Sequence, residues 1–395
     1  LTADTAPLSP ALTARLAGVS LSRRWLDAVS LVSPRTGRSG PILRIGVLLQ
    51  WGIGDAVLAL PLLHALHDAW PDAAIELLGK PFLPDLMQGE PGIASTHPLV
   101  PPWTRFSGKY RIWEAEWRRY GGELAALRRK PFDLLVAPRA DPRDAVQIRL
   151  LRARETAGFA SFGGRQWFTR DAGLTLEEAL LAHRPFLAAA LAQAVTGTPA
   201  DPLPRFRRRL DGAIALRQFR SHGYTGGPVL AVSLGAGHPI RQSWDRAKVA
   251  SVLRTIQKHV GFLVVIEDPS GSPGEIDLPP GVPAMIWRSG LADLSAMLSV
   301  VDGVFCVDSG VMHMAAAVGR RVAAVFGPTS PGLFGPAGVG HHILAAQIMP
   351  CRPCFEACLY QRAHCLDAVT VDAAVTAIRQ ILAAPSIVPA AMDET

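Results

Sequence analysis

Three polar groups crowd the entry to one short helix, and together they suit the binding of an anion. In Gly303-Val-Phe-Cys-Val-Asp308-Ser309-Gly310-Val-Met-His313-Met-Ala-Ala-Ala-Val-Gly319, an apolar run ends in a carboxylate, a hydroxyl and a glycine amide, and an imidazole follows on a small-residue helix. The first amides of a helix lack intrahelical acceptors and carry the positive end of its dipole, so a diphosphate is the natural guest. The plainer alternative is an N-cap followed by a core histidine. A cap needs one polar residue, however, and here several share the turn. A further turn, Phe326-Gly327-Pro328-Thr329, ends the next apolar run. The glycine-rich segment Gly235-Ala-Gly-His-Pro-Ile-Arg241-Gln-Ser-Trp244 has a cation near its end, which suits a phosphate-approach loop or a plain surface loop.

Upstream, Gln50-Trp51-Gly52-Ile53-Gly54-Asp55 repeats the strand–turn–helix design. Gly52 and Gly54 allow a ligand close to the backbone. Asp55 either caps the helix or, if it faces a cleft, takes a proton from a substrate hydroxyl; the turn alone leaves both open. A third cluster is sulfur. Of five cysteines, four fall in Cys351-x2-Cys354-x3-Cys358-x6-Cys365. Four thiols at such spacing can close a tetrahedral Zn or Fe site of structural kind, with free or paired thiols as the alternative.

The elements that must position these turns alternate. Apolar runs at residues 42–49, 74–79, 131–137, 229–234, 261–267, 303–307 and 321–326 read as strands. Residues 56–70, 176–195, 212–222, 246–259, 291–300, 311–318 and 371–384 read as helices. Strands alternating with helices predict parallel sheets with crossover helices. Two strand–turn–helix sites far apart predict two facing Rossmann-like domains with a ligand between them, and ligands bind at strand C-terminal ends in such sheets. The Gly-, Pro- and Arg-rich stretch 196–228 is the expected linker, giving an N-terminal extension 1–40 and Rossmann-like domains at 41–210 and 211–395, the acceptor and donor domains of the resemblance given below.

The chain has 395 residues, 49% hydrophobic and 18% charged, which is a globular composition, and its net charge of +7 suits acidic partners. Nucleic-acid signatures are missing, so nucleic acid is not an expected partner. No apolar run is long enough to span a bilayer, and the N-terminus does not read as a secretory signal, so a cytoplasmic location is the expectation. Residues 11–32, with Leu21, Trp25, Leu26 and Leu31 beside Arg23 and Arg24, predict an amphipathic helix that packs on the domain or meets a membrane surface.

These motifs resemble glycosyltransferase family 9, the bacterial heptosyltransferases of lipopolysaccharide assembly, over roughly residues 42–382. The resemblance rests on Gly54-Asp55-Ala-Val-Leu-Ala-Leu-Pro61-Leu-Leu-His-Ala65-Leu66, on Ala157-Gly158-Phe159 and His183-Arg-Pro-Phe186, and above all on Asp308-Ser309-Gly310-x-Met312-His313 followed by Phe326-Gly327-Pro328-Thr329. It implies an α/β GT-B fold and inverting transfer from a nucleotide sugar, typically ADP-heptose, without a catalytic metal. By this likeness Asp55 is the general base. Ser309, Gly310 and His313 hold the donor diphosphate, Asp308 contacts the donor sugar, and Arg241, Gly327 and Thr329 complete the donor side. Many members carry a similar cysteine-rich tail, and iron is implicated in relatives that glycosylate autotransporters. Two departures stand out: Gln242 occupies the family's usual Lys or Arg position, and Ile266-Glu267-Asp268-Pro269 replaces a Gly-Gly-Pro turn. The acceptor is a lipopolysaccharide core or lipid A, with a protein as the alternative acceptor and a non-catalytic nucleotide-sugar binder as the rival. Arg105, Lys109, Arg111 and Arg139 are acceptor-side candidates, and the aromatic, basic run 103–120 is either a sugar-stacking surface or an amphipathic helix with Trp113 and Trp117 in the core. Contact with the inner-membrane surface is a further expectation.

Overall fold

The computed structural model describes residues 10–31, 40–104, 111, 115–235, 244–267, 276–346, 349–354, 358, 360 and 363–383, with side-chain surroundings from Gly18 onward. The chain folds as two compact units, one of Ala17–Arg209 and one of Leu210–Thr395 together with the segment up to Leu16.

The first unit holds a six-stranded parallel sheet: β1 Arg44–Leu49, β2 Ala74–Gly79, β3 Ile93–Pro98, β4 Phe132–Val136, β5 Ala153–Gly158 and β6 Arg170–Asp171, in the spatial order 3-2-1-4-5-6. The second holds β7 Val229–Ser233, β8 Phe262–Ile266, β9 Ala284–Trp287, β10 Gly303–Val307, β11 Arg321–Phe326 and β12 His342–Ala345, in the order 12-11-10-7-8-9. Counted from each unit's own first strand, the two orders are the same. Both are doubly wound, and each reverses direction beside its first strand. The switch points therefore lie between β1 and β4 and between β7 and β10. β7, β8 and β10 are buried throughout, and β1, β2 and β11 are buried after their first residue, because helices cover both faces of a parallel sheet.

Two helices expected to be continuous are each broken. Residues 56–70 form Ile53–Leu58 and Leu60–Ala69, and residues 176–195 form Leu176–Leu181 and Arg184–Thr196. Pro61 and Pro185 sit at the starts of the second segments, where the missing N–H cannot reach back to the carbonyl four residues earlier. A capping box of Thr175 and Glu178 starts the third of these helices. The closing helix Val371–Leu382 buries Ala374, Val375, Ala377, Ile378, Ile381 and Leu382, a helical spacing that seats one face on the second unit's core.

Candidate active site

In the first unit, β1 ends at Leu49 and the turn Gln50-Trp51-Gly52 opens the helix Ile53–Leu58, on whose first turn Asp55 stands. Asp55 Oδ2 accepts the backbone N–H of Gly52 at 3.0 Å. Its Oδ1 accepts Arg139 Nη1 at 2.8 Å. One oxygen thus caps the helix while the other faces a cation, so capping and chemistry do not compete for this side chain. Arg139 arrives on the loop after β4, so the two loops meet at the switch point. Its guanidinium lies 3.8 Å from the Trp51 ring centroid, and that of Arg143 lies 4.9 Å from it. A pocket here is lined by Trp51, Asp55, Leu58, Arg139, Arg184 and Leu187, among others. Its lining includes Leu48, Leu49 and Pro138, at the C-terminal ends of β1 and β4, where an open α/β sheet takes its ligands.

The surroundings are electrically crowded. Burial lowers the pKa of Lys80, while the Asp55 carboxylate pulls it back up and Arg139 lowers it further. Asp144 is buried; burial first, and then the Asp141 charge, push its pKa well above the ordinary carboxylate value. Burial also raises Asp141, but its hydrogen bond to Arg143 and the charges of Arg143 and Arg139 win, and it stays ionised. Beneath Trp51, Gln50 and Gln147 exchange side-chain hydrogen bonds at 2.6 and 2.7 Å, and Tyr120 donates to Gln147 Oε1 at 3.1 Å. The buried amides are satisfied by one another, which fixes the turn that carries Asp55.

Of the acceptor-side candidates, Arg139 joins Asp55 and Arg111 is exposed; Arg105 and Lys109 lie outside the described residues. Part of the aromatic run is core. Trp103 and Tyr120 are buried and pack edge-on at 5.3 Å, with the half-buried Trp117 at 5.8 Å from Trp103. Trp113 lies outside the described residues. Lys80, Arg143 and Arg184 were not singled out from sequence. Lys80 directly follows Gly79, the last residue of β2, and the strand-end criterion applied to the other turns would have found it.

In the second unit, Ser309 is the N-cap residue of the helix Gly310–Ala317, with extended backbone at φ −153°, yet its side chain makes no cap hydrogen bond. Ser309 Oγ is buried and has no hydrogen-bond partner among the described residues. A buried hydroxyl left so is costly unless something else engages it. Asp308 is buried and turned elsewhere: its Oδ2 accepts the hydroxyl of Thr329 from the turn after β11. Asp308 and Thr329 are thus brought together, with Gly310 opening the helix and His313 buried one turn along it. Gly327 has a packing cause, since a Cβ there would meet Leu366 at 2.8 Å. Arg241 and Gln242 lie outside the described residues.

The cysteine loop lies against this turn. Cys354 donates its backbone N–H to Pro328 O at 3.1 Å, and Arg352 donates to Thr329 O at 3.0 Å and to Ala346 O at 2.9 Å. Cys354 and Cys365 are buried, Cys351 and Cys358 half-buried. Four thiols are the right donors for Zn or Fe. Among the described residues, however, no three His, Cys, Asp or Glu side chains are grouped to hold a metal ion.

Solved structures share the architecture. A glycosyl transferase family 9 protein from Veillonella parvula DSM 2008 superimposes with a TM-score of 0.65 at 18% identity, covering 89% of this chain and 100% of that one. Escherichia coli heptosyltransferase WaaC with ADP gives 0.61 at 17% identity, covering 86% and 100%. At such identities they establish the fold, GT-B with two Rossmann-like domains. By sequence, lipopolysaccharide heptosyltransferase 3 of Escherichia coli is 25% identical over 297 residues, 70% of this chain and 81% of that protein. The model of glycosyltransferase family 9 (heptosyltransferase) matches residues 125–364, well over half of the sequence, and the chain belongs to that family.

Proposed function

We propose that this chain transfers a heptose from ADP-heptose to a hydroxyl of a lipopolysaccharide-core acceptor, with inversion. Family membership and the likeness to a lipopolysaccharide heptosyltransferase support the reaction class. The observation that carries it is Asp55: a carboxylate that lines a strand-end pocket and has one oxygen paired with a cation. In this reaction Asp55 Oδ1 takes the proton of the acceptor hydroxyl as its oxygen attacks the anomeric carbon. The buried hydroxyl of Ser309 and the first amides of the helix Gly310–Ala317 bind the diphosphate and stabilise the charge that develops as it departs. Asp308, held by Thr329, orients the donor sugar. No step is assigned to the cysteine loop, whose hydrogen bonds support a buttressing role behind the donor turn.

The acceptor's lipid would bring the enzyme to a membrane surface. No described helix is long and apolar enough to cross a membrane. Leu21, Trp25 and Leu31 are well exposed on the helix Pro10–Leu31, next to Arg23 and Arg24, which supports peripheral contact with anionic lipid.

The test is a transfer assay with ADP-heptose, UDP-sugars and GDP-sugars offered in turn against a purified core acceptor. Transfer from ADP-heptose with release of ADP is expected. Binding of every donor without turnover would leave a nucleotide-sugar-binding protein instead.

A further inference from the structure

Arg139 takes from Asp55 the oxygen that the reaction needs. The pair is 2.8 Å apart, and the other oxygen is committed to Gly52 N–H. An opposite charge at this distance favours the ionised carboxylate and makes it a weaker base. A base so held is poorly matched to a hydroxyl proton.

Arg139 is also built to let go. Its side chain is 21% exposed and that of Asp55 is 36% exposed, so the pair is not sealed from solvent. The guanidinium lies on the Trp51 ring at 3.8 Å, a surface over which a planar cation can slide without losing its contact. It is not the sole cation facing the pocket: Arg184 lines it, and Lys80 interacts with both Asp55 and Arg139. Of the acids nearby, Asp141 pairs with Arg143, and burial disfavours the charged form of Asp144. Partly exposed positive charge beside a restrained base suits a substrate that brings negative charge next to its reacting hydroxyl.

We propose that Arg139 is a latch on Asp55, released when a carboxylate or phosphate monoester on the acceptor sugar draws its guanidinium away. The proposal rests on Asp55 being the base. In this scheme the acceptor's anion serves recognition and activation together: a bidentate guanidinium–oxyanion contact forms as Oδ1 becomes available to the hydroxyl. A neutral sugar can occupy the pocket but leaves the base latched.

The experiment compares wild type, Arg139→Gln and Arg139→Lys on three acceptor preparations: intact core, core treated with phosphatase, and core with its carboxylates methyl-esterified. Wild type is expected to prefer intact core by about tenfold or more in kcat/KM, and the treatment that abolishes the preference identifies the anion. Arg139→Gln should bring the preference within about threefold. It should also move the acid limb of kcat/KM against pH upward by about one unit or more on the neutral acceptor, the shift expected on losing an adjacent opposite charge. Arg139→Lys, which keeps the charge, should retain part of the preference and a limb close to that of wild type, a pattern that misfolding of the Gln variant would not produce. A preference unchanged in Arg139→Gln, or an acid limb that stays in place, overturns the latch. Failure of wild type to transfer from ADP-heptose at all would instead overturn the assigned reaction, and it is seen before any variant is compared.

Discussion

Asn at position 55 separates the two jobs that the Asp55 carboxylate holds. Its amide oxygen can still accept Gly52 N–H, so the helix start survives, but it cannot accept the hydroxyl proton. The structural cost follows from the two contacts. The Arg139 ion pair is partly exposed, with side chains 21% and 36% accessible, and such pairs contribute roughly 0.2–1 kcal/mol. The capping contact at 3.0 Å contributes about 0.5–2 kcal/mol. Asp55→Asn therefore costs up to about 1 kcal/mol and Asp55→Ala about 1–3 kcal/mol. For a unit of this size each kcal/mol lowers Tm by about 2–4 °C. The catalytic cost is of another order, since a positioned general base contributes about a hundred- to ten-thousandfold. Both variants should lose at least a hundredfold in turnover, while their melting temperatures differ from each other by several degrees. ADP release at saturating ADP-heptose, read beside thermal melts, measures both effects. An Asn variant that keeps more than about a tenth of wild-type turnover would refute Asp55 as the base. Activity that merely tracks the folded fraction would do the same.

Three further outcomes are expected. Ser309→Ala should raise the donor KM and the calorimetric Kd for ADP by roughly tenfold or more, as for a lost hydrogen bond to a charged group, with Tm nearly unchanged because Ser309 Oγ makes no hydrogen bond among the described residues. Glu90 is buried and accepts from His64 Nε2 and Arg207 N, both at 2.8 Å. Burial raises its pKa, but these bonds outweigh it and hold it below the ordinary 4.5. The folded value lies under the unfolded one, so Glu90 stabilises the fold above 4.5 and loses that contribution as pH falls through its folded pKa. Glu90→Gln should lower Tm at neutral pH and flatten its decline below pH 5, as followed by melts across pH. Trp25, 62% exposed beside Arg23 and Arg24, should matter for lipid contact: Trp25→Glu is expected to cut co-sedimentation with anionic vesicles several-fold without changing turnover on a water-soluble acceptor.

The sheets were legible where the strands are buried on both sides. Gly303–Val307 and the five residues after Arg321 are continuous apolar runs, and β10 and β11 form over Gly303–Val307 and Arg321–Phe326. The strands that escaped notice lie at or near sheet edges. β3 reads Ile-Ala-Ser-Thr-His-Pro and is half exposed, and β5 reads Ala-Arg-Glu-Thr-Ala-Gly. Their membership is decided by pairing with β2 and β4, a long-range fact that no local window contains. The broken helices were a local matter, since Pro61 and Pro185 stood in plain view but were outweighed by the apolar content around them.

The candidate site divides along the same line. Asp55, Ser309 and His313 were legible because each follows a strand and opens a helix, so one sequence window holds both the group and the element that aims it. Arg139 could be named only as a basic residue; its meaning comes from lying 84 positions from Asp55 in the chain and 2.8 Å from it in space. The strand order joins them. β1 and β4 are neighbours because the doubly wound sheet turns back beside its first strand, and that reversal brings the loop after β4 over the turn after β1. In the second unit the pairing of β10 with β11 likewise brings Thr329, from the turn after β11, onto Asp308 at the end of β10. In both units, then, the pairing of a motif with its partner depends on topology. A motif search finds the carboxylate or the hydroxyl, and the sheet determines which charge meets it.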